Sequence, residues 1–105
     1  MEKPNLSYIK DMSGGDEAFE KKLIGIIKTE YPLEKKIYLD NIAKSNLKEA
    51  AENVHKLKHK ISILGLVKSY EIAVEYEENL IDGNQEKRLD FERILQTITL
   101  YLETL

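Results

Sequence analysis

The sequence contains no cysteine, and this absence excludes disulfide bonds, thiolate catalysis and thiolate metal sites. No apolar run approaches the roughly 18 residues that a membrane-spanning helix needs. The first residues also lack the charged and then apolar pattern of a secretion signal. We therefore expect a soluble, cytoplasmic protein that does not insert into a membrane.

Proline and glycine are scarce, with two and five residues, and runs typical of β-strands are absent. The formal net charge of -3 argues against general binding to nucleic acid. A chain of 105 residues has room for one helical domain, spanning residues 1–105, but not for a nucleotide-binding catalytic domain as well. We therefore expect an all-α protein without kinase activity of its own.

The hydrophobic pattern predicts the helices in order. A short helix over residues 5–12 precedes a second one that Asp16 caps and that runs to about residue 30. Pro32 is predicted to be a kink or an early position of a third helix. The remaining helices are predicted between Asn46 and Gly65, over residues 68–81, and from Phe91 to the last residues. Short connections favour an antiparallel up-down four-helix bundle with one or two short N-terminal capping helices.

Apolar residues at alternating steps of three and four mark the predicted core faces. Asn46 and Glu49 resemble a capping box, and Gly65 is expected to end its helix in a left-handed conformation. The predicted core positions are Phe19, Leu23, Ile26 and Ile27 on the second helix, Leu33, Ile37 and Ile42 on the third, and Leu47, Ala50, Val54, Leu57, Ile61 and Leu64 on the fourth.

A histidine on the exposed flank of the fourth helix is the best indication of function. His55 lies well off the apolar stripe, with Lys58 and His59 one turn further on and Ser62 two turns on. Neutral imidazole is a good nitrogen nucleophile near neutral pH. The charge of Lys58 favours the neutral imidazole and can screen transferred phosphoryl oxygens. This arrangement is typical of a phosphoryl carrier.

At these residues the chain resembles the histidine phosphotransfer (HPt) domain, whose motif runs His-x-Leu-Lys-Gly and is followed by a second glycine that closes the helix. The matching residues are His55, Leu57, Lys58 and Gly65, and His59 stands where the motif has its first glycine. Weaker matches extend over most of the chain, at Leu6-Ser7-Tyr8-Ile9, Ser13-Gly14-Gly15-Asp16, Ile72, Ala73, Tyr76 and Glu77.

The resemblance implies that His55 accepts a phosphoryl group from the aspartyl phosphate of a response-regulator receiver domain, including that of a hybrid histidine kinase, and passes it to another receiver or returns it. It implies that Lys58 stabilises phosphoryl charge. It assigns no cofactor to this chain, because magnesium is expected on the receiver. We expect a monomer that docks receivers through Ile9, Met12, Lys56, His59, Lys60, Ser62 and Ile63.

Two other interpretations stay open at this point. A helical adaptor that has kept the scaffold without phosphotransfer would explain the histidine in place of glycine. His55 and His59 also have the spacing of two zinc ligands, although the chain offers no further histidine and no HExxH motif. Glu52, one turn before His55, is the only nearby carboxylate on the same helix.

Overall fold

The computed structural model describes residues 2–105, and within that range every regular element is a helix. The predicted all-α class is therefore confirmed. The five helices are α1 (Ser7–Ser13), α2 (Glu17–Ala43), α3 (Leu47–Ile63), α4 (Val67–Ile81) and α5 (Arg88–Glu103). Helix α3 packs between α2 and α4, α5 contacts α4 and α2, and α1 lies on α2. This order of neighbours is compatible with the expected bundle.

The predicted second and third helices are one continuous helix of 27 residues, so the expected boundary near residue 30 is wrong. Pro32 lies inside α2 on its exposed side. An internal proline costs about 3 kcal/mol. Tyr31 and Tyr38 lie on either side of it and are 2% and 0% exposed. Burial of two aromatic side chains, each stabilising by roughly 1.5–3 kcal/mol, offsets that cost and keeps the helix intact.

The core face of α2 also differs from the prediction. The buried residues are Ile27, Tyr31, Tyr38 and Ile42. Four residues that we expected in the core are instead exposed, namely Phe19, Ile26, Leu33 and Ile37. Tyrosine buries more area than leucine or isoleucine, and both buried hydroxyls find partners on other helices, so the helix turns its tyrosines inward.

Helix α3 carries its apolar stripe as predicted, since Ala50, Val54, Leu57, Ile61 and Leu64 are all fully buried and Leu47 is partly buried. The capping box is wrong, because the Asn46 side chain makes no capping hydrogen bond. The left-handed end is confirmed, with Gly65 at φ 77°. A Cβ at this position would also lie 2.6 Å from Nδ2 of Asn5, whose side chain would have to move, but the left-handed backbone is the main reason that the turn needs glycine.

The segment before α1 holds this turn and starts α4. The Asn5 amide donates to the Leu64 carbonyl at 2.9 Å. The Glu2 carboxylate accepts hydrogen bonds from the amides of Lys68 and Ser69 at 2.8 and 3.0 Å, which caps a helix that has no capping side chain of its own. Burial raises the pKa of Glu2, but the two amide donors outweigh it and hold that pKa below its ordinary value.

A relay of hydroxyl groups joins α2, α4 and α5 in the core. The Tyr76 hydroxyl lies 2.7 Å from the Tyr38 hydroxyl, which donates to Glu92 at 3.1 Å. Arg88 donates to the same carboxylate oxygen at 2.8 Å. Phe91 packs against both tyrosine rings at centroid distances of 5.1 and 5.3 Å. Burial raises the pKa of both tyrosines, so both hydroxyls stay protonated at physiological pH.

Removal of each of the two hydroxyls should lower the free energy of unfolding by a different amount. Tyr38→Phe leaves the Tyr76 hydroxyl buried without a partner and should cost about 1–3 kcal/mol of unfolding free energy. Tyr76→Phe leaves Tyr38 bonded to Glu92 and should cost less than about 1 kcal/mol. Urea unfolding of the two variants measures the difference. Equal costs, or the reverse order, would contradict the relay.

Candidate functional site

His55 projects from α3 toward solvent, and its side chain is 54% exposed. Its Nδ1 atom lies 3.2 and 3.4 Å from the two carboxylate oxygens of Glu77, which comes from the neighbouring helix α4. The Glu77 side chain is only 20% exposed. The imidazole is thus fixed at one nitrogen by a carboxylate that is largely shielded from water.

This contact decides which nitrogen is available for chemistry. An ionised carboxylate only accepts hydrogen bonds, so Nδ1 must carry the proton and donate it to Glu77. In the neutral ring the lone pair then lies on Nε2. That atom makes no hydrogen bond within residues 2–105. The nitrogen without a hydrogen-bond partner is therefore the nucleophilic one.

Lys58 is joined to His55 through the same carboxylate. Its Nζ atom lies 3.0 Å from Oε1 of Glu77 and 5.8 Å from the centre of the Tyr70 ring. The Lys58 side chain is 13% exposed, so its ammonium group points into the helix interface rather than into solvent. Lys58 holds Glu77 in place, and Glu77 in turn orients His55.

Glu77 counted only among the weaker matches to the HPt domain, and sequence reasoning missed its role at the site. Glu52, one turn before His55, was the only nearby carboxylate that we named on the same helix, yet its side chain makes no hydrogen bond or ion pair with His55. Glu77 is 22 residues away in sequence and belongs to an acidic run on α4. Only the packing of α4 on α3 selects one of those acidic residues.

His59 lies against the His55 ring, with ring centres 5.1 Å apart and planes at 87°. Both rings are exposed. This edge-to-face contact places a second imidazole where the HPt motif has a glycine. Lys56 and Ser62 are also exposed on this side of α3, and Met12 of α1 is 46% exposed.

Three residues of the expected docking surface are placed differently. Ile9 is 0% exposed within the core and has no surface to offer a partner. Lys60 faces α2, where it donates to Glu30 and Glu34 at 2.8 and 3.1 Å. Burial lowers the pKa of Lys60, but the two carboxylates outweigh it and raise that pKa above its usual value. Ile63 is partly buried against the core.

An open cleft of about 550 Å³ lies beside His55 and Glu77. Its other lining residues are Lys48, Ala51, Glu52, Lys56 and Ile81. Lys48 and Lys56 are exposed, and the carboxylates of Glu52 and Glu77 balance their charge in the cleft. An anionic group on the exposed side of the ring would meet these two lysines.

Among residues 2–105, no three histidine, aspartate or glutamate side chains lie close enough together to hold a metal ion. No helix in this part of the chain has the length and apolar character to cross a membrane. No protein-family model, no curated protein and no solved structure matches the chain.

The orientation of His55 can be tested without any partner. The Glu77 contact predicts that neutral His55 carries its proton on Nδ1, whereas a histidine side chain in water favours Nε2. Glu77→Gln should shift the proton toward Nε2. The glutamine amide can donate or accept a hydrogen bond, whereas an ionised carboxylate only accepts one. The ¹⁵N shifts of the ring, measured with the imidazole neutral, report the tautomer.

Glu75→Gln is the matched control, because Glu75 also lies on α4 but pairs with Lys87 at 3.1 Å. It should leave the His55 tautomer unchanged. A proton found on Nε2 in the unaltered protein would show that Glu77 does not orient the ring.

Proposed function

We propose that the protein is a phosphorelay carrier, in which His55 accepts a phosphoryl group from the aspartyl phosphate of a receiver domain and transfers it to another receiver. One observation carries this proposal: a half-exposed imidazole is held at Nδ1 by a shielded carboxylate, while Nε2 makes no hydrogen bond within residues 2–105. A carrier needs its nucleophile at the surface because the partner completes the reaction centre.

The bonds that form and break in the phosphoryl transfer belong to the imidazole of His55 and the aspartyl phosphate of the receiver. The Nε2 lone pair attacks phosphorus, the N–P bond forms, and the P–O bond to the aspartate breaks with its electron pair left on that carboxylate. The proton on Nδ1 stays where it is, so the phosphorylated ring becomes cationic. Glu77 then faces a positive charge and stabilises it. In the reverse transfer the ring leaves as neutral imidazole.

Lys58 takes a more indirect role than the motif suggested. Its ammonium group is committed to Glu77 and largely buried, so we assign it the task of positioning that carboxylate. Its charge still lies within one helical turn of the transferred group. The exposed Lys48 and Lys56 of the cleft are better placed to contact phosphoryl oxygens as they leave the receiver.

The receiver would dock around the ring of His55. The exposed residues that support this surface are Met12, Lys56, His59 and Ser62, with Ile63 at its partly buried margin. Ile9 and Lys60 are left out because one is buried and the other is paired with α2. We propose that the receiver brings the magnesium ion and that the carrier itself takes no cofactor.

The architecture supports this role. We propose that α2 to α5 form an antiparallel up-down four-helix bundle with α1 as its cap, because each of these four helices contacts the next and α5 returns to α2. A rigid bundle fixes a surface nucleophile on a helix rather than on a loop. We further propose that the protein acts as a cytoplasmic monomer and does not phosphorylate itself from ATP.

A helical adaptor without phosphotransfer is the second candidate. It is favoured by an exposed apolar stripe on α2, whose members Phe19, Ile26, Leu33 and Ile37 are 39%, 42%, 61% and 51% exposed. Such a stripe could bind another helix. It offers no reason, however, for holding Nδ1 of an exposed imidazole on a shielded carboxylate, and we therefore place it second.

Phosphoryl transfer from a receiver labelled at its aspartate tests the proposal. His55→Gln keeps a polar side chain of similar shape but removes the nucleophile, so it should abolish labelling. His59→Gln is the matched control and should retain it. Lys58→Ala should slow transfer about tenfold or more, because Glu77 loses the charge-assisted contact, of about 1.5–3 kcal/mol, that positions it beside His55.

Circular dichroism checks that each variant keeps its helices. If His59→Gln loses the label while His55→Gln retains it, the acceptor is the wrong residue. If no receiver in a broad panel labels the unaltered protein, the adaptor becomes the better interpretation.

A further inference from the structure

A second cleft lies between α2 and α5, and it shares no lining residue with the cleft at His55. Its volume is about 520 Å³, within the range of small-molecule sites. On α2, Lys28, Pro32, Lys35 and Leu39 follow one another at steps of four, three and four and so share one face. This face forms one wall of the cleft.

The base of the cleft is apolar. Tyr31 and Leu102 contribute side chains that are 2% and 7% exposed, and Pro32 and Leu39 add apolar surface at the rim. The Tyr31 hydroxyl is already engaged, because it donates to the Leu95 carbonyl at 2.6 Å. Burial raises the pKa of Tyr31 to about 12, so it stays neutral. Hydrocarbon is therefore favoured against this surface.

Lys35 sets the charge that such an occupant must carry. Its Nζ atom donates to the Thr99 hydroxyl at 2.9 Å, and the side chain is partly buried. Two partly buried lysines of α3, Lys58 and Lys60, instead pair with carboxylates. No carboxylate lies within 4.0 Å of the Lys35 ammonium among residues 2–105. It is a cation beside an apolar base with no carboxylate in direct contact.

The other charged groups of the cleft limit the charge of the molecule that it can bind. Lys28 and Lys36 add positive charge, whereas Asp40 and Glu103 are exposed at the surface and disfavour a second anionic group. We propose that this cleft binds a molecule with one anionic group and an apolar body, of the class of a medium-chain fatty acid. The carboxylate contacts Lys35, and the hydrocarbon lies against Pro32, Leu39 and Leu102.

A titration with decanoate, kept below its micelle concentration and followed by amide NMR, tests this inference. Shifts should cluster at the α2 and α5 residues of the cleft and leave the amides around His55 unmoved. Decanol, which has the same chain without the charge, should bind about tenfold more weakly. Equal binding of decanol, or shifts centred on His55, would overturn the proposal.

Two substitutions separate the charge from the apolar surface. Lys35→Met keeps an unbranched side chain and should weaken decanoate about tenfold without changing decanol. Lys22→Met, at an exposed lysine of α2 outside the cleft, should change neither. Leu39→Glu places a carboxylate one turn from Lys35 and should abolish decanoate binding. Unchanged decanoate affinity in either Lys35→Met or Leu39→Glu would contradict the assignment.

Sedimentation with vesicles of zwitterionic and anionic lipid distinguishes a soluble ligand from a membrane surface. We expect the protein to remain in solution with both. Binding to anionic vesicles that Lys35→Met abolishes would replace the fatty acid by a lipid surface and so overturn the proposal in its stated form.

Discussion

The carboxylate of Glu77 is the constraint on which the site depends, because it binds two side chains of α3 at once. One oxygen lies 3.2 Å from Nδ1 of His55 and the other lies 3.0 Å from Nζ of Lys58. Without Glu77 the ammonium group of Lys58, whose side chain is only 13% exposed, would lose its carboxylate partner, which is destabilising. The same carboxylate assigns the proton of the imidazole and therefore its nucleophilic nitrogen. Glu77 therefore both stabilises the contact between the two helices and orients the imidazole.

This contact requires a fixed register between two antiparallel helices. His55 meets Glu77 while Lys58, further along α3, meets the earlier Tyr70 of α4, which is the pattern of an antiparallel pair. The turn between them is set by Gly65 in its left-handed conformation. The Asn5 amide binds the last carbonyl before that turn, and Glu2 caps the helix that follows. The N-terminal segment therefore supports the site although it contributes no atom to it.

Local patterns were enough to predict the all-α class, the buried stripe of α3, its glycine end and the exposure of His55. They failed where distant packing decides the outcome. The energetic cost of proline inside a helix predicted a helix boundary near Pro32, but burial of the flanking tyrosines keeps α2 continuous. The spacing on α3 predicted Lys60 on the docking surface, but in the structure it pairs with two carboxylates of α2. Glu77 was one of several acidic residues on α4, and only the α3 to α4 contact distinguishes it.

The ring nitrogen of His55 that becomes bonded to phosphorus tests the proposed mechanism most directly. After phosphorylation by a receiver, ¹⁵N and ³¹P NMR of the modified histidine identifies the residue and the ring nitrogen that carries phosphorus. Because Glu77 holds Nδ1, phosphorus should be bonded to Nε2 of His55. Phosphorus on Nδ1 of His55, or on either nitrogen of His59, would contradict the mechanism.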